Sequence, residues 1–398
     1  MKVAAALSGG VDSAVAAARL VKAGHEVTAI HMALQRTPAL RRQGSRGCCS
    51  LEDASDARQA AQKLGLDFYV WDLSDTFTDL VVRDFIDSYG AGLTPNPCIR
   101  CNEFVKFRVL LERAEALGFD AVATGHYARL EPDDAGGAGL RRAVDLAKDQ
   151  SYVLAASGRA ALARCLFPLG DAPSKAAVRQ EAAELGLGVA RKRDSYDICF
   201  IPDGDTRGYL REQLGERPGP IVDGAGTQVG EHLGAYQFTV GQRKGLSLSR
   251  PAADGRPRYV TRVDTATNVV QVGPVEALDA PQFGTLAVNW LESDFQAEVD
   301  QLADVTASDA TGGAADSAAD GAAGGVPVAV QVRAHSKALT AQVTNSGDGF
   351  AVQLGEPLRG LAPGQSAVFY RGDLAVAQAV VAPFEGAGSR SAKLNPGA

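Results

Sequence analysis

The sequence predicts an α/β domain built on a parallel sheet, followed by two small β-rich domains, the last of them a β-barrel. From residue 1 to about residue 200, apolar runs alternate with helical stretches, which is typical of a parallel sheet covered by helices. After about residue 205, short apolar runs and turns replace this alternation, which is typical of β-rich domains. A glycine-containing loop, Ser8–Ser13, follows the first apolar run and precedes an alanine-rich helical stretch.

In the first half of the chain, predicted strands and helices follow one another in regular order. The predicted strands are Lys2–Leu7, Glu26–Met32, Asp67–Leu73 and Ala121–Thr124. The predicted helices are Val11–Ala23 ended by Gly24, Leu51–Leu64 capped by Ser50 and followed by Gly65, and two more near Phe77–Tyr89 and Phe104–Leu117. Ligands in such sheets bind at the carboxyl ends of strands, where the Ser8–Ser13 loop would lie.

The second half of the chain reads as short strands joined by turns. The clearest strands are Tyr259–Val263, Val269–Val272, Val328–Arg333, Ala341–Val343, Phe350–Leu354 and Ala367–Arg371. Residues 302–325 are low-complexity Ala, Gly, Asp, Ser and Thr, which cannot bury a core, so we expect a disordered insertion there. The tail 385–398 is similar and is expected to be flexible. The predicted domains are 1–204, 205–280 and 281–384.

The composition is that of an ordinary water-soluble protein. Of 398 residues, 45% are hydrophobic and 22% are charged, and no run approaches the ~20 apolar residues of a membrane span. Lys2 leads directly into a strand without signal-peptide anatomy, and six cysteines in such a chain favour a reducing cytoplasm. A net charge of −7 argues against wholesale coating of nucleic acid.

Basic residues nevertheless cluster locally and could grip a nucleic-acid backbone. The clusters are Arg41, Arg42 and Arg46; Arg191, Lys192 and Arg193; Arg243 and Lys244; and Arg333, His335 and Lys337. Solvated surface charge explains any single cluster at least as well.

The loop Ser8–Ser13 reads Ser-Gly-Gly-Val-Asp-Ser. Ser8, Gly9 and Gly10 let backbone N–H groups approach a phosphate, and the following helix start adds positive dipole there. The loop resembles that of the ATP pyrophosphatase superfamily, whose members split ATP between the α and β phosphates and usually adenylate a substrate. No Walker A pattern occurs, which disfavours ordinary γ-phosphate hydrolysis. Asp12 is expected to help hold Mg²⁺ or orient the phosphates, and a plain tight turn is the structural alternative.

The cysteines form a second informative feature. The motif Cys98-Ile-Arg-Cys101 lies in a proline-rich segment that we expect to be a loop presenting side chains to a site. A thiol there can act as a nucleophile once deprotonated, and Arg100 would favour the thiolate. Cys199 stands in a separate segment, Asp194–Pro202. Cys165 lies in an apolar context that predicts a core cysteine.

Two metal or redox alternatives use the same cysteines. Cys48, Cys49, Cys98 and Cys101 could together supply four thiolates to zinc, but adjacent cysteines are poor zinc spacing. A thioredoxin-like disulfide between Cys98 and Cys101 would leave Cys199 without a role, and the sequence shows no helix start there.

Seven motifs occur in the order found in one known family. They are Ser8–Ser13, Thr94–Asn102, Thr124–Tyr127, Lys148–Tyr152, Asp197–Pro202, Thr239–Leu246 and Ala362–Ser366. On these motifs the chain resembles the tRNA-specific 2-thiouridylase family, and the resemblance runs from residue 6 to about residue 371. The order of the motifs makes it specific, because the glycine loop alone is shared by a whole superfamily.

The resemblance implies ATP-dependent 2-thiolation of the wobble uridine, position 34, of tRNAs of the Lys, Glu and Gln type. The first domain would be an adenine nucleotide α-hydrolase-like ATP-pyrophosphatase domain, and the central β-rich domain would bind tRNA. ATP with Mg²⁺ would adenylate uracil O2, and sulfur carried as a persulfide would replace it. Cys199 resembles the persulfide-bearing cysteine. Cys101 resembles the nucleophile that releases the sulfur and ends in a disulfide with Cys199.

The resemblance also implies binding residues and partners. The ATP-binding positions would be Ala6, Leu7, Ser8, Gly9, Gly10, Val11, Asp12, Ser13, Met32 and Gly125. The target base would be bordered by Asn96, Pro97 and Cys98. The tRNA would contact His126, Lys148, Asp149, Gln150, Arg333, Ala334 and Gln365. A cysteine desulfurase or sulfur-relay protein would supply the sulfur to a cytoplasmic monomer, and we expect His25 and His31 to be structural.

One departure from the family pattern opens an alternative mechanism. Well-known members of the family carry aspartate where this chain has Cys98. Cys98, Cys101 and Cys199 together resemble three thiolate ligands for a [4Fe–4S] cluster with one open iron, as related tRNA-sulfurating enzymes use. The persulfide mechanism is the first hypothesis and the cluster is its alternative.

Two further alternatives belong to other functional classes. An adenylating amide ligase would explain the Ser8–Ser13 loop, but not the three cysteines or the β-rich second half. A non-catalytic tRNA-binding protein is compatible with the basic clusters, yet an intact Asp12 and Ser13 argue against it.

Overall fold

The computed structural model describes residues 1–35, 51–132, 137–193, 198–201, 203–249, 254–310 and 324–383, with side chains left out at 303–310. Several features singled out in the sequence lie outside these described residues. They are the cluster Arg41, Arg42 and Arg46, the pair Cys48 and Cys49, the Ser50 cap, part of the Cys199 segment and the tail 385–398.

The elements alternate through the first half and become strand-rich in the second. The strands are β1 (Lys2–Ala6), β2 (Glu26–Ala33), β3 (Phe68–Asp72), β4 (Ala121–Ala123), β5 (Ala128–Pro132), β6 (Ala138–Arg142), β7 (Cys165–Leu166), β8 (Gly219–Val222), β9 (Gln228–His232), β10 (Tyr259–Asp264), β11 (Val269–Gly273), β12 (Asp279–Trp290), β13 (Val326–Gln331), β14 (Leu339–Ser346), β15 (Gly349–Arg359), β16 (Ser366–Arg371) and β17 (Leu374–Val381). The α-helices are α1 (Val11–Lys22), α2 (Leu51–Lys63), α3 (Ser74–Phe77), α4 (Arg83–Gly90), α5 (Pro97–Arg100), α6 (Leu110–Ala116), α7 (Ser151–Leu154), α8 (Arg159–Leu162), α9 (Lys175–Glu184), α10 (Thr206–Leu214) and α11 (Ser293–Ala310).

The predicted parallel sheet is confirmed. Its strand order is β3-β2-β1-β4-β7, and every neighbouring pair is parallel. Strand β1 is buried along most of its length, which suits a central strand covered by helices on both faces. The sequence did not predict the edge strand β7, because two residues are too short to show a pattern. Cys165 of this strand is only 4% exposed, which confirms it as a core cysteine.

The second half forms the predicted β-rich architecture. A four-stranded sheet of order β10-β11-β8-β9 precedes a barrel of order β12-β15-β14-β13-β16-β17. The barrel closes because β12 pairs with both β15 and β17. Its interior packs aromatic rings edge to face, with the centroids of Phe350 and Phe369 5.0 Å apart.

One hairpin links the two halves. Strands β5 and β6 pair with each other, and β6 also pairs with β17, so the hairpin extends the sheet of the barrel. The Tyr152 hydroxyl on α7 donates to the carbonyls of Val332 and Ser366 at 3.1 and 3.0 Å. The nucleotide-side domain and the barrel therefore share a buried polar interface, which the sequence pattern did not predict.

The predicted start of the disordered insertion, at residue 302, was wrong. Helix α11 runs through residues 302–310, whereas the sequence predicted disorder over 302–325. Phe295 and Val299, four residues apart, are buried in the barrel core, and a helix anchored on such a stripe can extend into alanine-rich sequence. Residues 311–323 lie outside the described part of the chain. In that described part, no helix is both long and apolar enough to cross a membrane.

Candidate active site

The loop after β1 presents backbone rather than side chains. Gly9 has φ +78°, and a Cβ there would lie 2.2 Å from the Asp53 carbonyl oxygen of α2. Gly10 is the N-cap of α1, and no side chain caps this helix start. The first N–H groups of α1 therefore lack a side-chain cap, which is the arrangement that an anion site at a helix start requires.

The conformation of this loop is fixed by hydrogen bonds of the Ser13 hydroxyl and by the close approach of Gly125. The Ser13 hydroxyl donates to the Gly10 carbonyl at 3.1 Å and accepts the Ser8 backbone N–H at 3.2 Å. A Cβ at Gly125, just beyond β4, would lie 2.6 Å from the Ser13 nitrogen. Ser13 and Gly125, both expected to bind ATP, thus shape the loop through close backbone contacts.

Asp12 is held by two groups from distant parts of the chain. The Tyr127 hydroxyl donates to Asp12 Oδ1 at 2.7 Å, and Lys175 Nζ lies 2.5 Å from Asp12 Oδ2. The Lys175 side chain is 13% exposed and begins α9, which Ser174 caps. Sequence reasoning missed Lys175, although the Ser174 cap marks the helix start that brings it to the loop.

Lys175 supplies a test of this loop. We expect Lys175→Met to weaken ATP binding about tenfold or more, because a charge-assisted contact worth about 1.5–3 kcal/mol is lost beside the phosphates. Titration calorimetry with ATP measures the change, and Lys175→Arg, which keeps the charge, is the matched variant. Equal affinity for all three proteins would restrict Lys175 to a structural role.

The other expected ATP positions line the start of the site. Ala6, Leu7 and Val11 are buried, so they can meet a nucleotide through backbone atoms or at their edges. Met32, near the end of β2, is half-buried and packs against two core clusters. The His31 ring nitrogen Nδ1 is hydrogen-bonded to the Leu7 carbonyl at 2.9 Å, which confirms a structural histidine.

The Cys98–Cys101 motif starts a helix, and the expected proline-rich loop was wrong at this point. Pro97 occupies the first turn, where no N–H is needed, and the Asn96 side chain accepts the Cys98 backbone N–H at 3.0 Å. Helix α5 continues without a break through a π-helical stretch, Cys101–Val109. The objection that a thioredoxin-like motif would lack its helix start here is therefore also wrong.

Cys98 and Cys101 differ in their surroundings. Cys98 is exposed, whereas Cys101 is 8% exposed. Arg100 forms ion pairs with Asp84 at 2.8 Å and with Glu103 at 3.3 Å. Its positive charge is therefore shared with these carboxylates and does not act on the thiols alone. The helix start itself is then the nearer source of positive potential for the thiol of Cys98.

Cys101 and Cys199 belong to one hydrophobic cluster. Cys101 is part of its buried core, and Cys199 and Met32 pack against it. The Gln35 side chain, two residues beyond β2, donates to the Cys199 carbonyl at 2.7 Å. Cysteines almost a hundred residues apart thus pack in the same cluster, together with Met32 near the end of β2.

The three cysteines do not assemble as a metal site in this structure. Among the described residues, no three Cys, His, Asp or Glu side chains are close enough together to hold an ion. Cys98 faces solvent, while Cys101 and Cys199 face the apolar cluster. The three thiols therefore do not share one environment in this structure.

His126 lies in an aromatic pocket beyond β4. Its ring packs against Phe107 and Phe167, with centroids 5.8 and 5.9 Å away, and Nδ1 is hydrogen-bonded to the Thr124 hydroxyl at 2.7 Å. Burial, with a smaller effect from Lys106, lowers the pKa of His126 well below its usual value. The imidazole is therefore neutral at physiological pH and carries hydrogen-bonding nitrogens but no charge.

This lowered pKa has a measurable effect on stability. Below about pH 6.5 an unfolded His126 takes up a proton that the folded one does not, so its contribution to stability, complete above that pH, is lost as the pH falls. We expect urea unfolding to show wild-type losing about 1 kcal/mol more than His126→Asn between pH 7.5 and 5.5. Parallel pH profiles for the two proteins would contradict the pKa shift.

Two of the expected tRNA positions share a cleft of about 480 Å³ between the four-stranded sheet and the barrel. Arg333 and Gln365 line it together with Tyr259 and Arg359. Arg333 donates to the Arg359 carbonyl at 3.2 Å and also to the Gly360 carbonyl. The Gln365 side-chain oxygen accepts the backbone N–H of Ala362, three residues earlier in the chain, at 3.0 Å.

The segment Lys148–Gln150 was expected to contact tRNA, but two of its three side chains form hydrogen bonds within the protein. The Asp149 side chain is 5% exposed and accepts the backbone N–H groups of Ala143 and Ser151. The Gln150 side-chain oxygen accepts the Tyr127 backbone N–H at 3.0 Å. Both side chains are thus engaged within the protein, while Lys148 is half-buried at the surface.

The basic clusters divide into exposed and internally paired groups. Arg243, Lys244 and His335 are exposed. Lys192, by contrast, lies 2.7 Å from the Asp53 carboxylate and also pairs with Asp56. Only the exposed groups are arranged as a basic surface for a polyanion.

These features define a class of protein: a nucleotide-binding α/β domain with two cysteines in one buried cluster, joined to a small β-sheet and a β-barrel. Models of three domains match the chain in this order: a tRNA methyl transferase HUP domain at residues 1–203, a tRNA methyl transferase PRC-barrel domain at 207–274, and an aminomethyltransferase beta-barrel domain at 316–381.

Curated relatives extend the match over almost the whole chain. A tRNA-specific 2-thiouridylase MnmA from Beutenbergia cavernae is 58% identical, covering 96% of this chain and 95% of the relative. One from Micrococcus luteus is 52% identical, covering 96% of each chain. A solved 4-thiouridine synthetase–RNA complex with bound ATP is 16% identical with a TM-score of 0.33, covering 54% of this chain and 50% of the other. The chain belongs to the tRNA-specific 2-thiouridylase family.

Proposed function

We propose that this protein is an enzyme that uses ATP to replace the 2-oxygen of the wobble uridine in tRNA by sulfur. Membership of the tRNA-specific 2-thiouridylase family supports the reaction. The observation that carries the proposal is that Cys101 and Cys199 pack in one cluster with Met32, beside the backbone loop for a phosphate. A sulfur-transfer enzyme needs thiols next to the activated base, and the packing of both cysteines in one cluster supports that role.

Activation of the uracil is the first step of the proposed reaction. Uracil O2 is a poor leaving group, and its attack on the α-phosphate of ATP gives an O2-adenylate and pyrophosphate. The N–H groups at the start of α1 and the Lys175 ammonium would bind the phosphates through charge-assisted hydrogen bonds. Asp12, held by Tyr127 and Lys175, would orient them, and Mg²⁺ would neutralise further charge when bound.

Sulfur transfer is the second step. The Cys199 persulfide carries the sulfur, and the Cys101 thiolate attacks the inner sulfur of that persulfide. The new Cys101–Cys199 bond forms as hydrogen sulfide leaves, and the hydrogen sulfide displaces AMP at C2 of the base. The disulfide must then be reduced by an external thiol before the next turnover.

The target base would reach this chemistry as an unstacked anticodon nucleotide. Asn96, Pro97 and Cys98, at the exposed start of α5, would border it. His126 would offer a neutral imidazole edge, and the exposed basic groups Arg243 and Lys244 would contact the tRNA backbone.

A [4Fe–4S] mechanism remains the second candidate, because Cys98 supplies the third thiol that it requires. Support for the persulfide route comes from the difference in burial, since Cys98 is exposed whereas Cys101 belongs to the buried cluster against which Cys199 packs. Membership of the tRNA-specific 2-thiouridylase family argues against the amide-ligase and the non-catalytic alternatives.

We extend the proposal to organisation and partners. The chain would act as a cytoplasmic monomer with domains 1–204, 205–280 and 281–384, the central one binding tRNA. A cysteine desulfurase or sulfur-relay protein would load Cys199, which is half-buried. The tRNA substrates would be those of the Lys, Glu and Gln type.

The test uses protein purified anaerobically, with unmodified tRNA, ATP and a cysteine desulfurase. We expect iron-free protein to form 2-thiouridine, detected by mass spectrometry of digested tRNA, and to release one AMP per thiolated base. Iron at about four atoms per chain, lost in Cys98→Ala together with activity, would instead establish the cluster mechanism. If neither iron-free nor iron-containing protein forms 2-thiouridine, the proposed function is refuted.

A further inference from the structure

A largely buried arginine, Arg142, lies between the two chain segments expected to contact tRNA outside the active site. Arg142 Nη2, at the end of β6, donates to the Gln331 side-chain oxygen at 3.0 Å. Arg142 Nη1 lies 3.8 Å from Asp149 Oδ2, and the two side chains are only 16% and 5% exposed. The guanidinium also stacks over the Tyr370 ring, 3.9 Å from its centroid, which fixes its plane.

Gln331 carries this connection to the second segment. Its Nε2 donates to the carbonyls of Arg333 and Ala334 at 2.9 and 3.2 Å. The side chain is 4% exposed, at the end of β13. Arg142 binds the oxygen of the amide and the two carbonyls bind its nitrogen, so each end of the group has a fixed partner.

Asp149 carries the connection to the first segment. Its Oδ1 accepts the N–H groups of Ala143 and Ser151 at 3.0 and 3.2 Å, and the Ser151 hydroxyl donates to Oδ2 at 2.8 Å. Ser151 in turn is 3.0 Å from the Tyr370 hydroxyl of the barrel. The backbone around residues 148–150 is therefore tied to β16, the strand that pairs with the β13 strand of Gln331.

We propose that Arg142 and Gln331 are positioning residues for tRNA binding, because they hold the backbone beside the surface residue Lys148 at a fixed distance from the backbone beside Arg333. The inference rests on the proposed function and deepens it. Neither side chain needs to touch the tRNA. Their effect is to fix the spacing between two binding segments, so that the tRNA does not have to order them on binding.

The central test replaces Gln331 by leucine, which fills a similar volume but makes no hydrogen bonds. We expect Gln331→Leu to raise the KM for tRNA roughly tenfold, because two carbonyls and the Arg142 guanidinium lose a buried partner and the Arg333 loop shifts. The kcat is expected to stay within twofold, and the affinity for ATP is expected not to change. A stability role alone would leave the KM for tRNA unchanged.

Coupling between the two residues provides an independent measure. In Arg142→Met the same connection is broken from its other end, so the double variant with Gln331→Leu should raise the KM hardly more than either single change. If Gln331→Leu fails to fold, Arg142→Lys replaces it as the test. Lysine keeps the charge but cannot reach both Gln331 and Asp149, so we expect the KM for tRNA to rise several-fold.

The control is Gln353→Leu on β15, an exposed glutamine of the same barrel whose side chain makes a single bond to the Pro281 carbonyl at 3.3 Å. We expect its KM for tRNA to match wild-type. A wild-type protein that does not thiolate tRNA would refute the proposed function. A thiolating wild-type with an unchanged KM in folded Gln331→Leu, or additive effects in the double variant, would overturn only this inference.

Discussion

Cys101→Ser and Cys199→Ser are each expected to abolish 2-thiolation of tRNA, lowering the rate by about 10³-fold or more. The serine hydroxyl is a far weaker nucleophile than a thiolate and cannot hold a persulfide. Binding of ATP and tRNA-dependent exchange of pyrophosphate into ATP should persist in both variants, because the phosphate loop is built from other residues. Mass spectrometry of the digested tRNA measures the product.

The two variants should fail at different points. After incubation with a cysteine desulfurase, Cys101→Ser is expected to retain a persulfide on Cys199, whereas Cys199→Ser should carry none there. Cys165→Ala is the matched control, since Cys165 is a buried cysteine of the edge strand β7 and lies outside the cluster of Cys101 and Cys199. It should thiolate normally at a cost of about 1 kcal/mol of stability. Normal thiolation by either of the first two variants would refute both cysteine mechanisms.

Gly9→Ala is expected to lower ATP affinity about 10²-fold or more. Gly9 has φ +78°, and the added Cβ would meet the Asp53 carbonyl oxygen at 2.2 Å, so the loop or the start of α2 must move. A displacement of about 1 Å at a site that binds through backbone N–H groups is enough for a loss of this size. Titration calorimetry with ATP, together with pyrophosphate exchange, measures it.

Gly24→Ala separates this close contact from ordinary backbone strain. Gly24 ends helix α1 with φ +81°, but a Cβ there would have open space around it. It should cost about 1 kcal/mol of stability and leave ATP affinity within about threefold of wild-type. Equal losses of ATP affinity in both variants would show that strain, not contact with α2, decides the behaviour of Gly9.

The order of apolar runs and glycines determined much of the architecture by itself. Alternation of strand and helix is a local pattern, so the parallel sheet, the β-rich second half and the phosphate loop after β1 could all be predicted. The boundaries failed where a local signal was weak or misleading. The prolines near Cys98 suggested a loop, although Pro97 in a first turn favours a helix just as well.

The tertiary structure alone decided which distant side chains meet. Lys175 reaches Asp12 from 163 residues away, and Gln331 reaches Arg142 across 189 residues, because α9 packs beside α1 and the β5–β6 hairpin joins the barrel. The same folding turns Asp149 and Gln150 inward, so residue types suited to contact with tRNA act within the protein. Periodicity is a property of neighbours in sequence. Contacts between elements depend on how whole faces pack, and no short stretch of sequence encodes that.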